Sequence, residues 1–468
     1  MEPGLQDVAA SPFGEPAARR DGSAGRPART SPGAPRTVAP GFEGEPPQSV
    51  RSFRRFSWSC YRSGVIGVDS ANRLHGAVKL SARVRADLLD QALDTLARHR
   101  DAVRARVETV AGEPVLHFDA RPRFERMRVD GADAAAALSA FVWRPFDLDK
   151  EGLFRALLVE IDGQSYMAIA MHHLVSDATS FGLLWREFWR NYRSHARCVE
   201  PSPPKGAPYG GYLNGLNTWR QTPQAQAQIS NLAARVAPLV ATRPALSTAG
   251  PLAPTPIRIE GDLLARLRLA ATQAKVTPFC MLLAAQAGAL IERRPGQPAL
   301  IASVHSGRDH PALLETIGYL ADRSFYLIAP EHPTNPAVLV SATWRAIVDV
   351  ARDRFVRFDF LRDHLATQGV DLVTPYFNFA AMPRPSHRVL SPDAEPPPFP
   401  LSLATPIRLD ACPVFSGSGP DTCDYGLTLV EKPGAIEGQW VPKAPADAAL
   451  AERFLARVRQ LAAMALPR

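Results

Sequence analysis

An apolar run over residues 166–171 (Tyr-Met-Ala-Ile-Ala-Met) ends directly in His172 and His173. Beyond Asp177, Phe181, Leu184, Trp185, Phe188, Trp189 and Tyr192 recur at helical spacing. The run has the length and composition of a buried strand, and the aromatic series marks one face of an amphipathic helix. A strand that hands over to a helix within a few residues points to an α/β arrangement, with Asp177 at or near the helix cap. Successive side chains on a strand point to opposite faces. Only one of the two histidines can therefore face a given cavity, while the other faces the core or a partner layer. This geometry predicts one chemical and one structural histidine. It argues against a metal centre built from His172, His173 and Asp177, because no further ligands cluster nearby to complete one.

Similar signals continue on both sides. Strands are expected over 74–80, 115–118, 153–161 and 166–171, the last two forming a hairpin around Gly163, with helices over 84–99, 132–142 and 178–193. After a weak, proline-flanked region (200–254) that holds a candidate connecting helix over 226–241, a second series follows. It has strands over 257–259, 300–304, 326–328, 376–379, 426–430 and 436–441, and helices over 262–274, 277–291 and 445–465. The simplest architecture is two stacked α/β lobes, 53–222 and 255–468, joined by a linker over 223–254. Residues 1–52 are rich in Pro, Gly, Ala, Ser and Arg, cannot bury enough apolar surface to order themselves, and read as a disordered tail.

Composition narrows the partners. The net charge of +8 comes mostly from arginines scattered among acids without a dense run. That argues against nucleic acid and suits steering of an acidic protein partner. Five cysteines, odd in number and without metal-ligand spacing, argue against a disulfide framework and fit a reducing cytoplasm. No stretch approaches the roughly 18 apolar residues of a membrane span, and the first residues lack the layout of a signal peptide.

The His172-His173-x-x-x-Asp177 pattern resembles that of the condensation-domain superfamily of nonribosomal peptide synthesis. An ordered series of further segments supports the likeness: Arg98-His99 with Val103-Arg104, then Arg144-Pro145-Phe146-Asp147-Leu148, Phe154-Arg155-Ala156-Leu157, Ser180, Gly307-Arg308 and Ile317-Gly318-Tyr319-Leu320. The resemblance spans roughly 53–466. It implies two chloramphenicol acetyltransferase-like lobes forming a pseudo-dimer, with a tunnel at their interface.

For the site, the resemblance implies that His173 is the base at the acceptor nucleophile and His172 supports it. Asp177 would form an ion pair with an arginine, Arg104 as first candidate and Arg155 as second. Ala178 stands where the motif usually has glycine, and its amide at the helix start is a candidate oxyanion donor. Gly307-Arg308 reads either as a tight turn or as the tunnel rim. Tyr209-Gly210-Gly211-Tyr212, with Trp219 displaced, is a reduced form of a family segment, and Asp322 stands where asparagine is common.

The implied activity is transfer of an acyl group from the phosphopantetheine thioester of an acyl or peptidyl carrier protein, supplied in trans to a free-standing enzyme. The acceptor is a small-molecule amine or alcohol, and the chain needs no cofactor of its own. A coenzyme A donor, a non-catalytic carrier-recruiting module and, more remotely, an epimerase remain open on the same fold.

Overall fold

In the first half of the chain the elements are β1 (Ser49–Arg51), β2 (Arg73–Leu80), α1 (Ala86–His99), β3 (Arg106–Val110), β4 (Glu113–His117), β5 (Phe124–Val129), α2 (Ala134–Trp143), β6 (Phe154–Ile161), β7 (Gln164–His172), α3 (Ala178–Ala196), α4 (Tyr209–Arg220) and α5 (Pro223–Ala241). The second half adds β8 (Thr255–Glu260), α6 (Gly261–Gln273), α7 (Pro278–Arg293), β9 (Ala299–His305), β10 (Asp322–Ile328), α8 (Pro336–Val350), α9 (Phe358–Ala366), β11 (Tyr376–Ala380), β12 (Ala404–Pro406), β13 (Gly426–Lys432), β14 (Ala435–Val441) and α10 (Ala449–Ala462). The computed structural model describes residues 40–42, 47–54, 58, 73–241, 253–372, 374–380, 403–409, 426–442, 447 and 449–465. All belong to one unit spanning 39–468.

Strand alternation builds the first lobe. In β6 and β7, Ala156, Leu158, Met167, Ile169 and Met171 join the main core beneath α1 and α3. Leu157, Val159, Ile161 and Ala168 face the other way, against Leu138, Phe141 and Val142 of α2. The sheet is thus covered on both faces, which is why these strands read as continuous apolar runs rather than as alternating ones. Its order is β12-β2-β7-β6-β5, and β5 pairs with β6 in parallel. A three-stranded ribbon, β1-β4-β3, flanks it.

The second lobe is a six-stranded mixed sheet, β10-β9-β11-β13-β14-β8. Helix α7 is its central core element, buried along Cys280–Ile291. Thr277 caps this helix by accepting from the Cys280 amide at 3.3 Å, and Pro278 opens it where no amide hydrogen is needed. Both lobes are mixed α/β. Among the described residues no single helix is long and apolar enough to cross a membrane.

Three boundaries differ from the sequence reading. The expected tail over 1–52 ends earlier: β1 pairs with β4, and Phe42 and Val50 are buried, while residues 1–39 and 43–46 lie outside the described residues. Isolated apolar residues in a proline-rich context carry no periodicity, so nothing in the sequence flagged them. The expected linker opens with α5, whose Ile229, Leu232, Ala233 and Val236 are buried in the main core; residues 242–252 lie outside the description. The lobes also exchange material. Strand β12 comes from the second half, yet pairs antiparallel with β2 at the edge of the first sheet. Phe358, Phe360 and Leu361 of α9 likewise belong to the first lobe's core.

Candidate active site

Strand β7 ends at His172, and α3 begins at Ala178, so the five intervening residues form a tight turn. Asp177 caps α3, its Oδ1 accepting from the Ser180 amide at 2.7 Å. The turn closes on itself: the Val175 amide and the Ser176 hydroxyl donate to the His172 carbonyl at 3.1 and 3.0 Å.

The second lobe clamps this turn from outside. Arg308 reaches Asp177 with both terminal nitrogens, Nη1 to Oδ2 at 3.0 Å and Nη2 to Oδ1 at 3.1 Å. The amides of Leu320 and Ala321 donate to Oδ2 at 2.9 and 3.0 Å. Both side chains of the pair are only 4% exposed. Burial pushes the Asp177 carboxyl up, but the Arg308 charge and the converging donors outweigh it and hold the carboxyl below the usual range. Arg308 Nη2 also donates to Ser180 Oγ at 2.7 Å and to the Thr316 carbonyl at 3.0 Å. Ser180 Oγ in turn donates to the Gly318 carbonyl at 2.5 Å and accepts from the Gly318 amide at 2.9 Å. Every Asp177 oxygen is thus committed to holding the turn.

The ion-pair partner is therefore neither arginine expected from the sequence. Arg104 donates to the Phe118 carbonyl at 2.5 Å. Arg155 donates to the Arg144 carbonyl at 2.5 Å and lies over the Phe146 ring at 3.9 Å. Both candidates lie in the first lobe, whereas the true partner lies 131 residues away in the second. The Gly307-Arg308 segment does make a tight turn: Gly307 has φ +67°, and a Cβ there would lie 1.9 Å from the Leu320 carbonyl oxygen. The turn's consequence is to aim Arg308 inward rather than to form a rim.

The two histidines occupy different surroundings, as strand geometry requires. His172 is buried, its Nδ1 accepting from the Leu174 amide at 3.0 Å, which places the ring proton on Nε2. Its ring meets Phe146 edge-on at 5.5 Å. Phe146, from the Arg-Pro-Phe-Asp-Leu segment, thus sits between Arg155 and His172. Burial first, then the charges of His173, Arg73 and Arg155, pull His172 down to about 3, so it is neutral across the ordinary pH range.

His173 is half-buried and packs edge-on against Tyr319 of the second lobe at 4.7 Å. Its Nδ1 is buried and meets no hydrogen-bond partner in good geometry among the described residues. Burial lowers its pKa, opposed first by its own backbone carbonyl and then by the Asp177 charge, and reinforced by Arg54. Arg54 lies over the other side of this assembly, 4.2 Å from the Tyr319 ring, and donates to the Ala321 carbonyl at 2.8 Å. It also pairs with buried Asp322 at 3.3 Å. Ala178 is the first residue of α3 and is half-buried.

The reduced Tyr209 segment is structural support for this site. Tyr209 donates its hydroxyl to the Leu174 carbonyl at 3.1 Å, inside the histidine turn. Its amide and that of Gly210 donate to the two oxygens of buried Asp101 at 2.9 and 2.7 Å, fixing the start of α4. Gly318 lies flat on the Tyr209 ring, where a Cβ would come within 2.1 Å of the ring. Trp219 is buried at the far end of α4 against Phe355. Arg308, Tyr319, Arg54 and Tyr209 are the residues whose place at the site the sequence did not assign. Each reaches the turn from a distant segment, and only the glycines at 307 and 318 hinted at close approach. Among the described residues no group of three His, Cys, Asp or Glu side chains is placed to hold a metal ion.

Comparison with known proteins places these features in a family. The sequence profile of the condensation domain matches residues 69–393. Bacitracin synthase 2 of Bacillus licheniformis is 25% identical over 307 residues, covering 62% of this chain and 11% of that protein. The chain thus spans about a tenth of that relative's length. Among solved structures, the X-domain from teicoplanin biosynthesis superposes with a TM-score of 0.70 at 18% identity, covering 91% of this chain and 97% of that one. The same X-domain in complex with OxyB gives 0.71, with coverages of 91% and 96%. The first condensation domain of the CDA synthetase gives 0.56 at 17% identity, covering 87% and 95%.

Proposed function

The chain belongs to the condensation-domain family, and on that premise we propose that it moves an acyl group from a carrier protein's phosphopantetheine thioester to an amine or hydroxyl acceptor. The observation that carries this reading is the division of labour at the turn. Asp177 is wholly engaged by Arg308 and backbone amides, while the His173 ring packs edge-on against Tyr319 and, among the described residues, takes no part in that network.

Burial favours neutral His173, the form that can accept a proton near neutral pH. With Nδ1 buried, the ring edge carrying Nε2 is left to meet the acceptor. The acceptor's N–H or O–H gives its proton to this nitrogen as its lone pair attacks the thioester carbonyl. The tetrahedral intermediate then collapses, the C–S bond breaks, and the pantetheine thiolate leaves with the proton returned. The Ala178 amide, at the positive end of α3, is the nearby helix-start donor for the developing oxyanion. The driving force comes from the thioester, and the enzyme's contribution is chiefly positioning.

Intact-protein mass spectrometry on acyl-loaded carriers with a panel of amines and alcohols tests this. Acceptor-dependent loss of the acyl mass, matched by product and absent in His173→Ala, supports transfer. Carrier binding without transfer across the panel would instead favour the second reading, a partner-recruiting module. That reading draws on the fold likeness to an X-domain whose structure is also known in complex with OxyB.

A further inference from the structure

Away from the histidine turn, α3 carries a row of arginines on its outward face: Arg186, Arg190 and Arg193, spaced four and three residues apart and so aligned along one side. They line a cleft of about 160 Å³ closed by Arg100 from the end of α1 and by Glu187 and Glu315. The ion pairing inside the cleft is uneven. Arg100 and Glu187 form a tight buried pair, 2.7 Å apart and 5% and 6% exposed. The others are looser: Arg186 lies 3.7 Å from Glu315, and Arg190 lies 3.9 Å from Glu187, beyond hydrogen-bond range.

Arg190 Nε and Nη2 are buried without a hydrogen-bond partner among the described residues. Arg193 is exposed and has no carboxylate within bridging range among the described residues. Four guanidiniums face two carboxylates, leaving an excess of two positive charges around a cavity with room for a small ligand. Guanidinium forks match the oxygen geometry of phosphate, and donors left unpaired in a partly buried cleft are costly until an anion meets them.

We propose that this cleft binds a phosphate-class dianion, held by Arg190 and Arg193, with Arg186 recruited as the ligand competes with Glu315. The inference does not depend on the transfer chemistry at His173. Glu315 adjoins Thr316, whose carbonyl receives Arg308, so the ligand would sit beside the segment that clamps the histidine turn.

Isothermal titration calorimetry on the full chain, at constant ionic strength, compares inorganic phosphate, 4′-phosphopantetheine and pantetheine. The expected result is saturable binding of both phosphorylated compounds and none of pantetheine. Binding should weaken about tenfold or more in Arg190→Gln/Arg193→Gln and tighten in Glu315→Gln, which removes the competing carboxylate. Tighter binding of 4′-phosphopantetheine than of inorganic phosphate identifies the end of a carrier arm as the source, whereas equal affinities identify a free phosphate. The proposal is overturned if neither phosphorylated compound binds saturably, if pantetheine binds as well as its phosphate, or if the double variant and Glu315→Gln leave affinity unchanged.

Discussion

Replacing Arg308 by leucine isolates the clamp across the two lobes. The substitution removes two charge-assisted bonds to Asp177, one to Ser180 Oγ and two to the carbonyls of Ser306 and Thr316. It leaves Asp177 with three amide donors but no counter-charge, in a site where its side chain is 4% exposed. Breaking a buried pair in this way costs roughly 3–5 kcal/mol, chiefly because the surviving charge is uncompensated. The companion Asp177→Asn keeps the helix cap and removes the charge. The double variant should therefore cost less than the two single losses together, by about 1–3 kcal/mol.

Guanidinium denaturation of the four proteins gives the cycle. The pH dependence has a definite sign. In the native chain Asp177 lies below its ordinary value of 3.8, so its stabilisation is complete above that pH and fades as the pH falls through the lower folded value. In Arg308→Leu, burial acts without its counter-charge and favours the protonated carboxyl. The variant's deficit against wild type should then shrink as the pH is lowered toward 4. A double variant whose loss equals the sum of the single losses, or a deficit that does not change with pH, would refute the reasoning.

Other perturbations separate support from chemistry. His173→Ala should lower transfer by about 10²- to 10⁴-fold with little change in the thermal midpoint, read by single-turnover assay and melting curve. Activity of the wild type should fall on the acid side at a pH below 6.5, because burial lowers the His173 value and only the neutral ring can take a proton; a limb above 6.5 would contradict this. His172, held neutral down to about 3, should make the fold lose stability as the pH drops from about 6.5 toward 3, a dependence that His172→Asn removes. Gly318→Ala should lower both stability and rate by driving a methyl into the Tyr209 ring, and Tyr209→Leu should recover part of the stability in the double variant.

Much of the architecture was legible where apolar periodicity is strong. Strands β6 and β7 and helices α3 and α7 appear in the sequence because both faces of the strands and long stripes of the helices are buried. Strand β5 (Phe-Glu-Arg-Met-Arg-Val) was missed because it is an exposed edge strand. Helix α4 was missed because Tyr209-Gly210-Gly211 is a poor helix start by composition and gains its order from the Asp101 carboxylate. The histidine turn itself was readable, including the different fates of His172 and His173, because both follow from local geometry. The partner of Asp177 was not, since an ion pair bridging 131 residues leaves no local trace.

Strand β12 and the Arg308 clamp lead to the same physical conclusion from opposite directions. Residues 404–406 complete the sheet that carries the histidines, and 308–321 fix the turn in which they sit. A polypeptide ending near residue 254 would contain the entire His-His-x-x-x-Asp sequence and still lack the means to aim it. Supplied as two separate fragments, the chain would behave as a coincidence detector, silent in either piece and responsive only when the halves find each other.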